Sequence, residues 1–405
     1  MRKVGLVTLW KANYGSALQC YATKHILQSM ACECVLIERR ERSVPVHFLK
    51  KIENRLYRYC LLLCNIGKFR EMNAAVKAGK SQVTRAMPKA LEDFVNDKLC
   101  PQSFTTAELK RMGKNAAYSA FLSGSDQVWN GACMDRWMMG FLHFAPGEKR
   151  IAFAPSFGSD NIQKYNIKRF VKYISAFRIL SARESSAALR IEQMTGRQCK
   201  RLIDPVLQLS KEEWLAILEK EHVPARGEGN YVVAYFLDAP SEQAITYVHR
   251  VSGDLSANVV VLPTDYQEFS SIRHTAFDEG PLEFLRLIEG ADYIVTDSFH
   301  TTAFALCFER PFYTFKRQYT HAYDQSARIE SLLELCGANE RFERDGMFPD
   351  PKEPIAFDEA AKTLERERTA AKEYIVNALS ASNVNLQSSR RKKGMTKIPA
   401  ATREG

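Results

Sequence analysis

The sequence predicts an α/β protein built from two doubly wound parallel-sheet domains that face a cleft. Three observations predict this. The 405 residues exceed what one core of ordinary size organises, so two domains are expected. Short β-branched and aromatic runs alternate with helical spacing through both halves, the rhythm of parallel sheets joined by crossover helices. Residues 224–229 (PARGEG), rich in Pro, Gly and charge, separate the halves as a linker. Hydrophobic content of 45% and charged content of 26% are those of a globular chain and exclude a disordered or fibrous one.

The first domain is expected over residues 1–223. Residues 4–10 (VGLVTLW) read as its first strand, and Asn13, Tyr14 and Gly15 stand in the turn that follows, where a ligand is met. Residues 16–30 put Leu18, Ala22, Ile26 and Leu27 on one side of a helix, and 34–37 form the next strand. The turn is not G-x-G-x-x-G, and no G-x-x-x-x-G-K-[ST] occurs, so the dinucleotide and P-loop fingerprints are both absent. Residues 40–113 are rich in Lys and Arg, with helical spacing at Leu56, Tyr59, Cys60 and Leu63. They read as a helical insertion with little strand character. Residues 120–122 resume the sheet and lead into SGSDQVWN. There Ser125 and Asp126 form a polar turn with backbone donors for an anion, and Trp129 offers a stacking face for a sugar ring. A tight turn with a packed Trp fits the same letters. Strands at 151–154 and 179–182 end at Ser156 and at Arg183-Glu184. An arginine there suits a bidentate grip on carboxylate or phosphate, or a pair with a local acid. Asp204-Pro205 reads as a strand-ending turn, and Ser210 with Glu213 as the capping box of a helix.

The second domain is expected over 230–355, with strands at 231–237, 259–262, 293–295 and 312–315 and helices at 241–252, 281–289 and 325–336. Asp297, Ser298 and His300 fall between a buried strand and a nearly all-apolar helix, at the position where open α/β sheets bind ligands. The free N–H groups of the helix's first turn favour an anion there, and an imidazole exchanges protons near neutral pH. The same residues also suit a simple helix cap and a structural histidine. Lys316, Arg317 and, on the next helix, Arg328 supply cations nearby. Residues 356–381 read as a helix crossing back to the first domain, and 382–405 as a basic disordered tail.

The net charge of +10 is half local, because Arg390, Arg391, Lys392, Lys393, Lys397 and Arg403 against Glu404 leave +5 in the last sixteen residues. The rest suits anionic small molecules rather than nucleic acid, and no nucleic-acid motif occurs. Ten cysteines without a C-x-x-C pair imply no zinc site and reduced thiols in a cytoplasm. No run approaches the ~18 apolar residues of a spanning helix, so membrane contact is expected to be peripheral at most, at the inner face. Asp297, Ser298 and His300 lie too close along one turn for a hydrolase triad.

Six segments, NYGSALQCYA, FLSGSDQVWN, RIAFAPSFG, SARESS, LIDPVL with the later Trp214, and TDSFHTTAF, resemble the polysaccharide pyruvyl transferase family in content and order, from about residue 5 to about residue 341. The resemblance implies two Rossmann-like domains in a GT-B-like arrangement. It implies transfer of the pyruvyl group of phosphoenolpyruvate onto a sugar, forming a ketal and releasing phosphate, with no cofactor or metal. The acceptor would be an oligosaccharide or lipid-linked glycan of a polysaccharide precursor. His300 would be the acid/base, with Asp297 beside it. Arg183, Ser298, Lys316, Arg317, Arg328 and Ser125 would hold the donor's anionic groups. Asn13, Tyr14, Gly15, Asp126, Trp129 and Ser156 would line the cleft for the acceptor. The chain departs from the family pattern at Ser298, where several members carry arginine. It also has Asn13-Tyr14-Gly15 in place of a Gly-Asp turn, and Ser186-Ala187 where a glycine is common. The alternatives are a GT-B-like glycosyltransferase using a nucleotide-activated sugar, or a non-catalytic glycan-assembly protein.

Overall fold

The computed structural model describes residues 2–11, 13–40, 89–130, 139–158, 167–227, 229–262, 274–317, 326–344 and 346–394, with scattered positions between 56 and 70. Side chains are described as far as residue 380. Among these residues the strands form two five-stranded parallel sheets and a small pair. In the first sheet, β1 (Arg2–Val7), β2 (Cys32–Arg39), β3 (Gln102–Phe104), β4 (Tyr118–Ser123) and β5 (Arg150–Ala152) lie in the order β3-β2-β1-β4-β5. β6 (Ser181–Ala182) and β7 (Lys200–Arg201) pair with each other, and an Ile151–Ile179 bridge joins the segment before β6 to β5. In the second sheet, β8 (Tyr231–Tyr235), β9 (Asn258–Val261), β10 (His274–Ala276), β11 (Tyr293–Thr296) and β12 (Phe312–Thr314) repeat the order as β10-β9-β8-β11-β12. The α/β class with two Rossmann-like sheets is the one expected from the sequence.

The central strands are buried end to end. YVVAY in β8 and YIVT in β11 have no exposed residue, as a strand covered by helices on both faces requires. One continuous core runs between the two sheets and joins them. In it Tyr14 stacks on Phe284 at 5.3 Å, Tyr21 lies against Trp214 at 6.4 Å, and Trp214 meets Phe304 edge-on at 5.5 Å. Separate clusters cover the outer face of each sheet.

Three differences from the sequence reading have physical reasons. The insertion is not wholly helical, because Gln102–Phe104 forms edge strand β3 on β2. The helix Thr106–Lys114 then follows under a Thr105/Glu108 capping box. β10 is likewise an exposed three-residue edge strand. Neither has room for an alternating pattern, so neither announces itself in sequence. The C-terminal helix runs Asp358–Gly394 and takes in Arg390 to Lys393, which read as tail. Residues 41–55, 71–88 and 395–405 of the expected insertion and tail lie outside the described residues. This last helix lies across the first sheet. The Tyr374 hydroxyl donates to the Ala152 carbonyl at 2.6 Å, Arg368 Nε donates to Leu207 O at 3.0 Å, and Glu367 pairs with Arg201.

Candidate active site at the two switch points

Strand order reverses between β1 and β4 and again between β8 and β11, so each sheet opens a crevice at the carboxyl ends of those strands. The first crevice is laced by Gly124 N–H donating to Val7 O and by the Thr8 hydroxyl donating to Ser125 O at 2.8 Å. The second is closed by Asp297. Its carboxylate accepts the Leu237 and Asp238 N–H groups at 2.7 and 3.1 Å, and Arg317 Nε lies 3.4 Å away. Burial pushes the Asp297 carboxyl above the usual range, against the pull of Arg317 and the two amides.

His300 begins the helix Phe299–Phe308, all ten residues of which are buried. Ser298 caps that helix, its hydroxyl accepting the Thr301 N–H at 3.4 Å. The ring of His300 reaches across to the amino end of the helix Tyr14–Ser29 and lies against Gly15. A β-carbon at Gly15 would stand 2.4 Å from His300 Cγ and Nδ1. Asn13 caps this helix reciprocally with Ser16, which fixes the turn that presents Gly15. Tyr14 holds the two halves together by its stacking and by donating to Glu279 O at 2.9 Å. Burial raises its hydroxyl to about 12.

Opposite His300 stands Asp204, which caps the short helix Pro205–Gln208. Its Oδ2 accepts Arg183 Nη1 at 2.6 Å and the Ser125 hydroxyl at 2.9 Å, and lies 3.8 Å from His300 Nε2. Arg183 also donates through Nε to Glu184 at 3.0 Å and lies 4.3 Å over the Phe299 ring. Arg328 lies 5.8 Å over the same ring. Burial would raise the Asp204 carboxyl, but Arg183 and His300 outweigh it and the net shift is downward. Burial pulls the His300 imidazole below its usual value, with Asp204 and Asp126 pulling it back up. The ring is therefore neutral at neutral pH, with two carboxylates placed to stabilise it once protonated. Two buried nitrogens, His300 Nε2 and Arg183 Nη2, have no hydrogen-bond partner among the described residues. Arg183 and Asp204 line an open pocket, and His300 Nε2 lies 3.8 Å from Asp204. The pocket is a shallow, partly open cleft lined by Arg183, Arg201, Asp204, Phe299 and Arg328 among others.

The expected site residues thus separate into groups. His300, Arg183, Ser125, Asp126 and Gly15 converge, and Arg328 joins them across Phe299. Ser125 meets Asp204 rather than standing open to an anion. Asp126 is buried with its backbone in the left-handed region, and its carbonyl accepts the Val128 and Ser156 N–H groups. Ser156 is buried and its hydroxyl accepts the Gly158 N–H. Trp129 is 0% exposed, packed on Phe141 and Phe177 with Nε1 donating to Gly140 O, so its indole presents no stacking face. The exposed Lys316 lies near Phe342, outside the pocket, and Arg317 pairs with Asp297. Asp204, Glu184 and Arg201 were not singled out as site residues from the sequence. Part of the signal for Asp204 was there, since an Asp directly before a Pro in LIDPVL is the pattern of a helix N-cap, and Asp204 caps Pro205–Gln208. Among the described residues no cluster of His, Cys, Asp or Glu is arranged to hold a metal, and no helix is long and apolar enough to cross a membrane.

Solved structures similar to the chain include the UDP-GlcNAc 2-epimerase of Neisseria meningitidis (9% identity, 96% of this chain and 100% of that one, TM-score 0.45). The UDP-GlcNAc 2-epimerase of Methanocaldococcus jannaschii is similar at 11% identity, covering 90% and 92% with TM-score 0.47. A glycosyltransferase of Rickettsia africae has 10% identity, covers 98% and 99%, and gives a TM-score of 0.40. No curated protein matches. The model of one sequence family, polysaccharide pyruvyl transferase, matches residues 13–319, a span that holds Gly15, Arg183, Asp204 and His300. The chain belongs to the polysaccharide pyruvyl transferase family, a family of enzymes.

Proposed function

We propose that the protein transfers the pyruvyl group of phosphoenolpyruvate to a pair of hydroxyls on a glycan, with His300 as the acid/base. The observation that supports this reading is the pair of buried, unsatisfied nitrogens, His300 Nε2 and Arg183 Nη2, on either side of Asp204, with Arg183 and Asp204 lining the pocket. The reaction must protonate the donor's methylene carbon, add two hydroxyl oxygens to its enol carbon, and expel phosphate. One hydroxyl proton ends on the new methyl group and the other leaves with phosphate, so the balance closes without a redox partner. A neutral His300 first accepts a hydroxyl proton and then, as imidazolium beside Asp204 and Asp126, returns it. Arg183 and Arg328 offer charge-assisted donors to the carboxylate and phosphate, in the place of the arginine that Ser298 lacks. A nucleotide-sugar donor is less well served. The Leu237 and Asp238 amides of the second crevice are already taken by the Asp297 side chain and so are not open to a diphosphate.

The test is incubation of the purified protein with phosphoenolpyruvate and candidate oligosaccharides. Expected is phosphate release matched by a pyruvyl mass increment on one glycan, lost in His300→Ala with the thermal transition retained. Consumption of a sugar nucleotide instead of phosphoenolpyruvate would overturn the reading.

A further inference from the structure

Three arginines line the pocket, and they are not held alike. The Arg183 side chain is 3% exposed and meets two carboxylates, Glu184 and Asp204, that line the pocket with it. Arg328, on the helix Ala327–Leu335, is also buried. Arg201 ends β7, and its side chain is 24% exposed. Its counter-ion, Glu367, comes from the C-terminal helix and, among the described residues, does not line the pocket. Arg201 therefore adds a cation to the wall without adding an acid. Arg183 and Arg328 alone would be balanced by Glu184 and Asp204, so Arg201 gives the lining its net positive charge. The apolar side of the pocket, with Leu207, Leu332 and Leu335, limits water and strengthens a charged contact there.

We propose that Arg201 is a further anion-binding residue of this pocket and that it takes the donor's phosphate group. The proposal rests on the reading of phosphoenolpyruvate as donor. A guanidinium fork matches phosphate oxygens, and the phosphate must depart to solvent after transfer. Of the three arginines, Arg201 is the most exposed and so stands nearest that exit. An ion pair that only fastened the C-terminal helix to the first sheet's unit would behave differently. Removing either partner of a fastening pair has the same effect, whereas only the arginine can hold phosphate.

In the experiment, phosphoenolpyruvate and, separately, inorganic phosphate are titrated by calorimetry into the full chain and into its Arg201→Gln, Arg201→Lys and Glu367→Gln variants. Expected is binding of both anions by the parent, roughly tenfold weaker in Arg201→Gln. Arg201→Lys, which keeps the ion pair but not the fork, should fall between the two. Glu367→Gln should bind no more weakly than the parent, because the arginine keeps its charge and loses a competing carboxylate. Both side chains are partly exposed, and a pair of that kind adds little stability, so the thermal transition should hold in every variant. In turnover, KM for phosphoenolpyruvate should rise in Arg201→Gln with kcat changed less. Equal affinity in Arg201→Gln and the parent, or equal weakening in Arg201→Gln and Glu367→Gln, overturns the proposal. Binding of inorganic phosphate through Arg201 without binding of phosphoenolpyruvate would sink the donor reading and leave Arg201 a phosphate-binding residue. Binding of neither anion sinks both.

Discussion

At His300 two opposing influences meet, and their balance sets what the residue does. Burial favours the neutral ring, while Asp204 and Asp126 favour the charged one. Removing one carboxylate should therefore lower the imidazole pKa further. Asp204→Asn is expected to move the acid limb of the kcat/KM profile to lower pH and to reduce kcat, because a weaker base also makes a less stable imidazolium. A merely structural Asp204 would lower stability but leave the position of that limb unchanged. Gly15 is constrained for a different reason, which is space. Gly15→Ala places a methyl within 2.4 Å of the buried ring, whose root cannot swing away, so ~1–3 kcal/mol of destabilisation is expected together with loss of turnover. Chemical denaturation and a phosphate-release assay check the two parts.

Elements with strong local signals lie where the sequence puts them. The helix Pro281–Glu289 begins at its proline, and Lys211–Lys220 begins after Ser210 with Glu213 closing the capping box. Short edge strands gave no such signal, since three residues at a sheet margin have no pattern to display. The C-terminal helix depends on contacts far away in sequence. Tyr374 and Ser181 both donate to Ala152 O, so Tyr374→Phe removes one bond without orphaning the acceptor. A loss of about 1 kcal/mol in urea unfolding, rather than the larger penalty of a buried unpaired carbonyl, is expected.

On the scale of the molecule the site is an interface. His300 comes from the second sheet's unit, while Asp204, Arg183 and Gly15 come from the first, and the Tyr14–Phe284 stack holds them in register. Stability should therefore register the proton on His300. Its folded pKa lies below the unfolded value of 6.5, so the unfolded chain binds the proton first and stability falls as pH drops through that value. The half-buried His25 acts with the same sign. Between pH 8 and roughly pH 5.5 the histidine contribution to unfolding free energy should decline. His300→Asn should therefore lose less stability than the parent over that range, whatever the opposing contribution of the raised Asp297 carboxyl. An unchanged slope would mean that the imidazole keeps an ordinary affinity for protons in the folded protein.

The sequence by itself determined the class of fold, the central strands of both sheets in their order along the chain, the Ser210 helix cap, and the histidine after a strand's carboxyl end. These are local matters of periodicity and capping, legible within windows of ten residues. Only the tertiary structure decided that Trp129 belongs to the core, that Asp297 closes a crevice, and that Asp204 stands 3.8 Å from His300. Those facts depend on which buried charges find one another across 96 residues of chain from Asp204 to His300, and no local pattern encodes that pairing.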